Sequence, residues 1–141
     1  MQIKFNDTDS VEIALKSRGS ADYIYDCNLL VSLKTASSSF SQEVWVDGYE
    51  FKTFLNGIEL LRSSLSGSVS ISSESPGELF IAVKAVDSLG HFVFQIELGR
   101  QTFIGPEPFW SKVQEAFPLE SASLDSVCKK LKDSFGEVIN A

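Results

Sequence analysis

His91 is the only histidine in the chain, and that limits the chemistry available. Metal centres and Ser-His-Asp arrangements lean on imidazole, so a lone histidine needs an unusual set of companions to serve in either. Cys27 and Cys128 are far apart in sequence and lack metal-ligand spacing, Cys128 falls within an apolar helical stripe, and nothing suggests a thiolate nucleophile, which would need a neighbouring base or positive field. The serines occur in no Gly-x-Ser-x-Gly elbow, and no Gly-x-Gly-x-x-Gly or Gly-Lys-Ser/Thr loop is present to cradle phosphate. Carboxylates can pair, as Glu74 with Glu78 or Glu43 with Glu97, but among 19 acidic residues such pairs arise by chance. The residues thus predict no catalytic group, no metal site and no cofactor, and favour a protein that is not an enzyme.

Two readings are open for His91. It follows Gly90 and should point with Gln95 and Glu97, away from the Phe92/Phe94 face. It is either a hydrogen-bonding residue on a recognition face or a residue that closes a hairpin by bonding to backbone. The second is favoured, because a lone histidine lacks the companion groups a site needs.

Composition bounds the rest. At 141 residues and 43% hydrophobic, residues 1–141 suffice for one core and one domain. The 11 phenylalanines need surfaces to cover, which argues against disorder. A net charge of −7 and a pI near 4.6 disfavour direct binding to nucleic-acid phosphates and to anionic membranes. They suit a basic partner, whose encounter complementary charge would steer, although acidity is also explained by solubility alone. With neither a membrane-length apolar stretch nor a signal-like N-terminus, the expected location is the cytoplasm, with both cysteines as buried free thiols.

The elements that must position any site read as α+β: a curved, mainly antiparallel sheet of about seven or eight strands with two amphipathic helices. Ile3 and Phe5, then Val11, Ile13 and Leu15, form a hairpin across the turn-like Asn6–Ser10 segment. After a break at Arg18–Asp22, a third strand starts near Tyr23 and alternates through Cys27, Leu29, Val31 and Leu33. Serine-rich Thr35–Ser41 is a loop or bulged edge. In the fourth strand Phe40, Gln42, Val44 and Val46 share one face. Trp45 falls on the other, either exposed for a partner or, the favoured reading, buried under a loop or terminal segment.

Phe51, Phe54, Leu55, Ile58, Leu61 and Leu65 make one helical stripe, capped by Asp47 and ended by Gly67. Val69 and Ile71, Leu79–Val86, and Phe92, Phe94, Ile96 and Leu98 are three strands of a meander, with Pro76-Gly77 and Asp87–Gly90 as the turns. Gln101–Phe117 fits either period. Strand is preferred for Phe109–Phe117, with Pro106 and Pro108 placing a loop before it. The closing helix carries Leu124, Val127, Cys128, Leu131 and Phe135, with Ser121 or Ser123 as cap and Gly136 as stop.

This order, with Val44-Trp45-Val46-Asp47 entering the hydrophobic helix, the small-residue strand after Gly67 and the Gly90-His91 hairpin, resembles the WapI-like immunity proteins from about Val11 to Phe135. These are small bacterial proteins that neutralise the toxic C-terminal domains of wall-associated, contact-dependent toxins. The resemblance implies stoichiometric inhibition of a toxin domain, often a nuclease, without catalysis. The outward polar set then supplies the partner-binding residues: Glu43, Trp45, Glu74, Glu78, His91, Gln95 and Glu97. An alternative is a small structural or adaptor module that self-associates through an open sheet edge, with no toxin partner.

Overall fold

The computed structural model describes residues 1–19 and 26–140. Its first half is a meander of β1 (Gln2–Lys4), β2 (Ser10–Arg18), β3 (Asp26–Lys34) and β4 (Ser39–Asp47), each antiparallel to its chain neighbour. Asn6 makes the first turn, its Oδ1 accepting the amides of Thr8 and Asp9 at 2.9 and 2.8 Å. Period-two alternation buries Val11, Ile13, Cys27, Leu29, Val31, Leu33, Val44 and Val46 on one face. The expected start of the third strand at Tyr23, and most of the break before it, lie outside the described residues. Thr35–Ser38 is a tight turn, and the serine-rich stretch beyond it joins β4.

The chain then enters α1 (Gly48–Ser64), whose stripe Phe51, Phe54, Leu55, Ile58 and Leu61 is buried as the spacing requires. Asp47 caps it, a carboxylate oxygen accepting the Glu50 amide at 3.0 Å. The stop is Leu65, in the left-handed region at φ 57°, not Gly67. The helix therefore ends without a glycine at the reversal, while Gly67 (φ 90°) presents its carbonyl to the Ala85 amide at the start of the next sheet.

That sheet holds β5 (Ser68–Ser72), β6 (Leu79–Ala85), β7 (His91–Ile104) and β8 (Glu107–Glu120), again antiparallel in chain order. Two four-stranded sheets thus replace the single curved sheet expected from sequence. α1 separates β4 from β5, and the two join no common ladder. Gly77 (φ 89°) makes the Pro76-Gly77 turn, and Val86 falls outside β6 and is exposed. Gln101–Phe117 is extended, as preferred. Its loop is only Gly105-Pro106, and Pro108 lies inside β8 opposite Phe103. A glycine at φ 64° followed by proline fits the first two positions of a two-residue hairpin turn.

The last element, α2 (Ser121–Ile139), buries Leu124, Val127, Cys128, Leu131, Phe135 and Val138. Neither Ser121 nor Ser123 caps it: Glu120 holds the cap position with no side-chain bond, and Ser121 donates to the Gly90 carbonyl at 3.1 Å. Gly136 does not end it. Phe135 leaves helical geometry (φ −125°, ψ 23°), and the kinked chain runs on to bury Val138.

Both sheets and both helices contribute to one core. Phe5, from the first turn, stacks on Phe117 of β8 at 4.3 Å and lies 5.2 Å from Phe94 of β7. The cavity where Ile3, Ile13, Phe51, Ile81, Phe94, Leu124 and Phe135 meet is about 10 Å³, no more than one water needs. Cys27 and Cys128 are both buried, and they are not joined in a disulfide. Burial, then a hydrogen bond with Glu59, pushes the Cys128 thiol up to about 12, so it stays protonated at neutral pH.

Gly57 is where α1 approaches β5. A Cβ there would lie 2.5 Å from Val69 Cγ1 and 3.3 Å from Val69 Cβ, on a stiff β-branched side chain. Alanine would gain about 1 kcal/mol of helix propensity, and overpacking costs about 1–3 kcal/mol. Packing should win. Urea unfolding of Gly57→Ala is expected to show a net loss, and adding Val69→Ala should remove most of the clash and appear as favourable coupling in a double-mutant cycle.

Candidate functional site

The outward residues at one end of β3 and β4 bring several carboxylates together. Register pairs Asp26 with Asp47 and Asn28 with Trp45, so a tryptophan and two carboxylates share one sheet face. The turn after β5 closes on them: the Glu74 amide donates to the Trp45 carbonyl at 2.8 Å, and the Glu74 carboxyl hydrogen-bonds Asp26. Glu50, in the first turn of α1, adds its charge.

Trp45 is 43% exposed, not covered by a loop or terminal segment. Strand parity sent its ring outward, and among the described residues no neighbouring segment folds back over it far enough to bury it. The indole is half open to water with four carboxylates grouped around it, so the patch is apolar at its centre and acidic around it.

The carboxylates repel. Glu74 is held above the usual range, first by its hydrogen bond to Asp26, then by burial, then by the charges of Asp26, Asp47 and Glu50. A folded-state pKa raised above the unfolded value gives stability that is full below about 4.5 and is lost as pH rises through the raised pKa. At neutral pH the ionised Glu74 therefore works against the fold. Glu74→Gln is expected to raise the melting temperature at pH 7 and to leave it unchanged near pH 4. The gain should stay below about 1 kcal/mol, the scale of exposed charge interactions, and shrink with added salt.

The remaining predicted residues lie elsewhere. Glu43 is two positions along β4 from Trp45, on the same face, and extends the acidic edge. Glu78 is turned toward β4 and accepts the Gln42 side-chain amide at 2.9 Å. His91, Gln95 and Glu97 belong to the outer face of the second sheet, where Gln95 and Glu97 line shallow grooves with Phe80 and Gln114. The structure therefore divides the expected contact set between two sheets.

His91 does not bond to backbone through its ring. Nδ1 meets Asp87 at 2.7 Å and Nε2 lies 3.4 Å from Glu120, a clasp between the turn before β7 and the end of β8. Asp87 also accepts the Leu89 amide at 2.8 Å. The Asp87 hydrogen bond and the charges of Asp87 and Glu120 raise the imidazole's pKa, and Asp87 is correspondingly lowered, first by the Leu89 amide. Both partners of His91 are exposed, so the clasp fastens a hairpin end.

Sequence reasoning missed two features. Asp26 and Glu50 join the Trp45 surface only through pairing and helix placement, and Asp47 was read as a cap alone. The second is an arm. β6 pairs with β7 only as far as Leu98, so the hairpin from Gly99 to Lys112 projects beyond it, by roughly 17 Å at strand rise. Phe103 and Ile104 are 65% and 66% exposed, with Phe109 and Trp110 also open. At the arm's base the Arg100 guanidinium lies 4.9 Å over Phe40 and donates to the Ser41 carbonyl at 2.8 Å. Trp110 lies across Gly77 and Gly99, where a Cβ on either would meet its ring. The turn-forming Gly105-Pro106 pair between two apolar pairs, Phe103-Ile104 and Phe109-Trp110, was the available signal.

Among the described residues, no group of three His, Cys, Asp or Glu is placed to hold a metal ion, and no helix is long and apolar enough to cross a membrane. No protein-family model, curated protein or solved structure matches the chain.

Proposed function

We propose that the chain is a non-catalytic binding protein that neutralises the toxic domain of a bacterial contact-dependent toxin, acting in the cytoplasm, with Trp45 and its surrounding carboxylates as the contact surface. The observation that carries this reading is the exposed indole set among Asp26, Asp47, Glu50 and Glu74. Carboxylates that repel one another in the free protein gain from a cationic neighbour, and a basic nuclease cleft that attracts phosphates also attracts carboxylates. Exposed tryptophan supplies the desolvated anchor that such interfaces concentrate their energy in. The toxin assignment comes from the resemblance in element order; the surface supports the basic character of the partner.

The test uses the tagged full chain as bait beside a Trp45→Ala, Glu74→Lys variant. Proteins retained by the first and not by the second are identified, and the toxicity of each is measured with and without co-expression of the chain. A basic protein bound one-to-one, whose toxicity the chain abolishes, supports the reading. Retention that is indifferent to the double substitution, or a retained protein whose activity is unaffected, would overturn it.

A further inference from the structure

The long edge of β8 has a second property, which does not depend on the acidic surface. β8 ends its sheet, and residues 107–112 are exposed. The two-residue turn makes Ile104 and Glu107 the closing, hydrogen-bonded pair of the hairpin. Pairs alternate from there, so the even-numbered residues of β8 do not bond to β7 and direct N–H and C=O outward. Both prolines of the strand, Pro108 and Pro118, fall at such positions, where a missing N–H costs the ladder nothing. Between them the backbone of Trp110, Lys112, Gln114 and Ala116 faces outward from the sheet.

Val113 is midway between the two prolines. We propose that β8 pairs antiparallel with β8 of a second copy of this chain, about a two-fold axis at Val113. That register sets Pro108 against Pro118, Lys112 against Gln114 and Trp110 against Ala116, so every outward donor between the prolines finds an acceptor. It opposes no like charges, whereas a shift centred on residue 112 would set Lys112 against itself. Lysine and proline often guard sheet edges; here both are accommodated by the symmetric register.

Side chains agree with the backbone. On one face Trp110, its ring already seated over Gly77 and Gly99 of its own chain, lies opposite the small Ala116 of the other copy, so the pairing crowds no large side chain there. On the other face exposed Phe109 lies opposite Phe117. The apolar arm of each copy is thus carried alongside the far end of the other's β8, and a two-fold contact of this kind closes on itself.

Sedimentation of the full chain from low micromolar to submillimolar concentration tests the pairing. The expected result is a monomer–dimer equilibrium. Gln114→Pro should weaken it at least about tenfold, because it removes bonds at the two-fold contact. The circular dichroism and urea midpoint should stay the same, since the Gln114 amide is not used within the chain. Should that variant fail to fold, cysteine substitution decides. Val113→Cys places two thiols across a non-hydrogen-bonded pair, about 4.5 Å between Cα atoms and within disulfide reach. Ser111→Cys offsets them by roughly 13 Å along the strands. Mild oxidation should link the first into a covalent dimer and leave the second unlinked, the native thiols being buried. A chain that stays monomeric throughout, a dimer that Val113→Cys does not link, or equal linkage of both variants would overturn the proposal.

Discussion

Phe51→Ala is expected to lose about 3–5 kcal/mol of unfolding free energy, the range for deleting a buried phenyl ring. The ring is 2% exposed and meets Phe135 edge-on, with centroids 5.2 Å apart and planes at 70°. It is therefore the point at which α1, inserted between the sheets, holds α2, the last element of the chain. Its removal leaves a cavity beside one of about 10 Å³ that both helices and both sheets already line, and collapse there would have to move several elements together. Phe51→Leu, which keeps much of the volume, should recover most of the loss. Urea unfolding checks this through a lower midpoint at unchanged slope. A loss near 1 kcal/mol would mean that the helix pair contributes little to the common core.

Trp45→Ala carries the largest expected effect on binding. An interface anchor of this type is worth about 2–4 kcal/mol, or roughly 30- to 1,000-fold in affinity. Because the indole is 43% exposed in the free chain, stability should change little. That separates an effect on contact from an effect on folding. Titration calorimetry with the retained toxin domain, against wild type and variant, supplies the measurement. Reversing Glu43 or Glu74 should instead act mainly on the association rate and its salt dependence, as exposed charges at an interface rim do. Unchanged affinity in Trp45→Ala would remove the surface from the proposal.

Periodicity made the helices legible. Phe51, Phe54, Leu55, Ile58 and Leu61 repeat at one interval, and so do Phe92, Phe94, Ile96 and Leu98 at another; burial follows both. The division into two sheets was not legible, because alternation along β4 and β5 is the same whether or not the strands pair. The same holds for Asp26 and Asp47, which meet only through register. Parity correctly set Trp45 apart from Val44 and Val46, but what lies over a residue is decided by distant segments. In the arm, adjacent apolar residues at Phe103-Ile104 and Phe109-Trp110 occupy both faces and blur the period. Helix ends were harder still, since Leu65 adopts a left-handed backbone that residue type alone assigns to Gly67.

The chain-order pairing within each sheet bears on the speed of folding. Every ladder joins consecutive strands across a turn or short connection, so each is closed at a small entropic cost and needs no distant segment as a template. Either sheet can gain order while the other is still a coil. The slow event is then the meeting of the two inner faces, with Phe5 reaching Phe94 and Phe117 across most of the chain. A mainly β chain built this way should fold faster than its strand content suggests, because sequence separation between contacts, more than strand content as such, sets the rate.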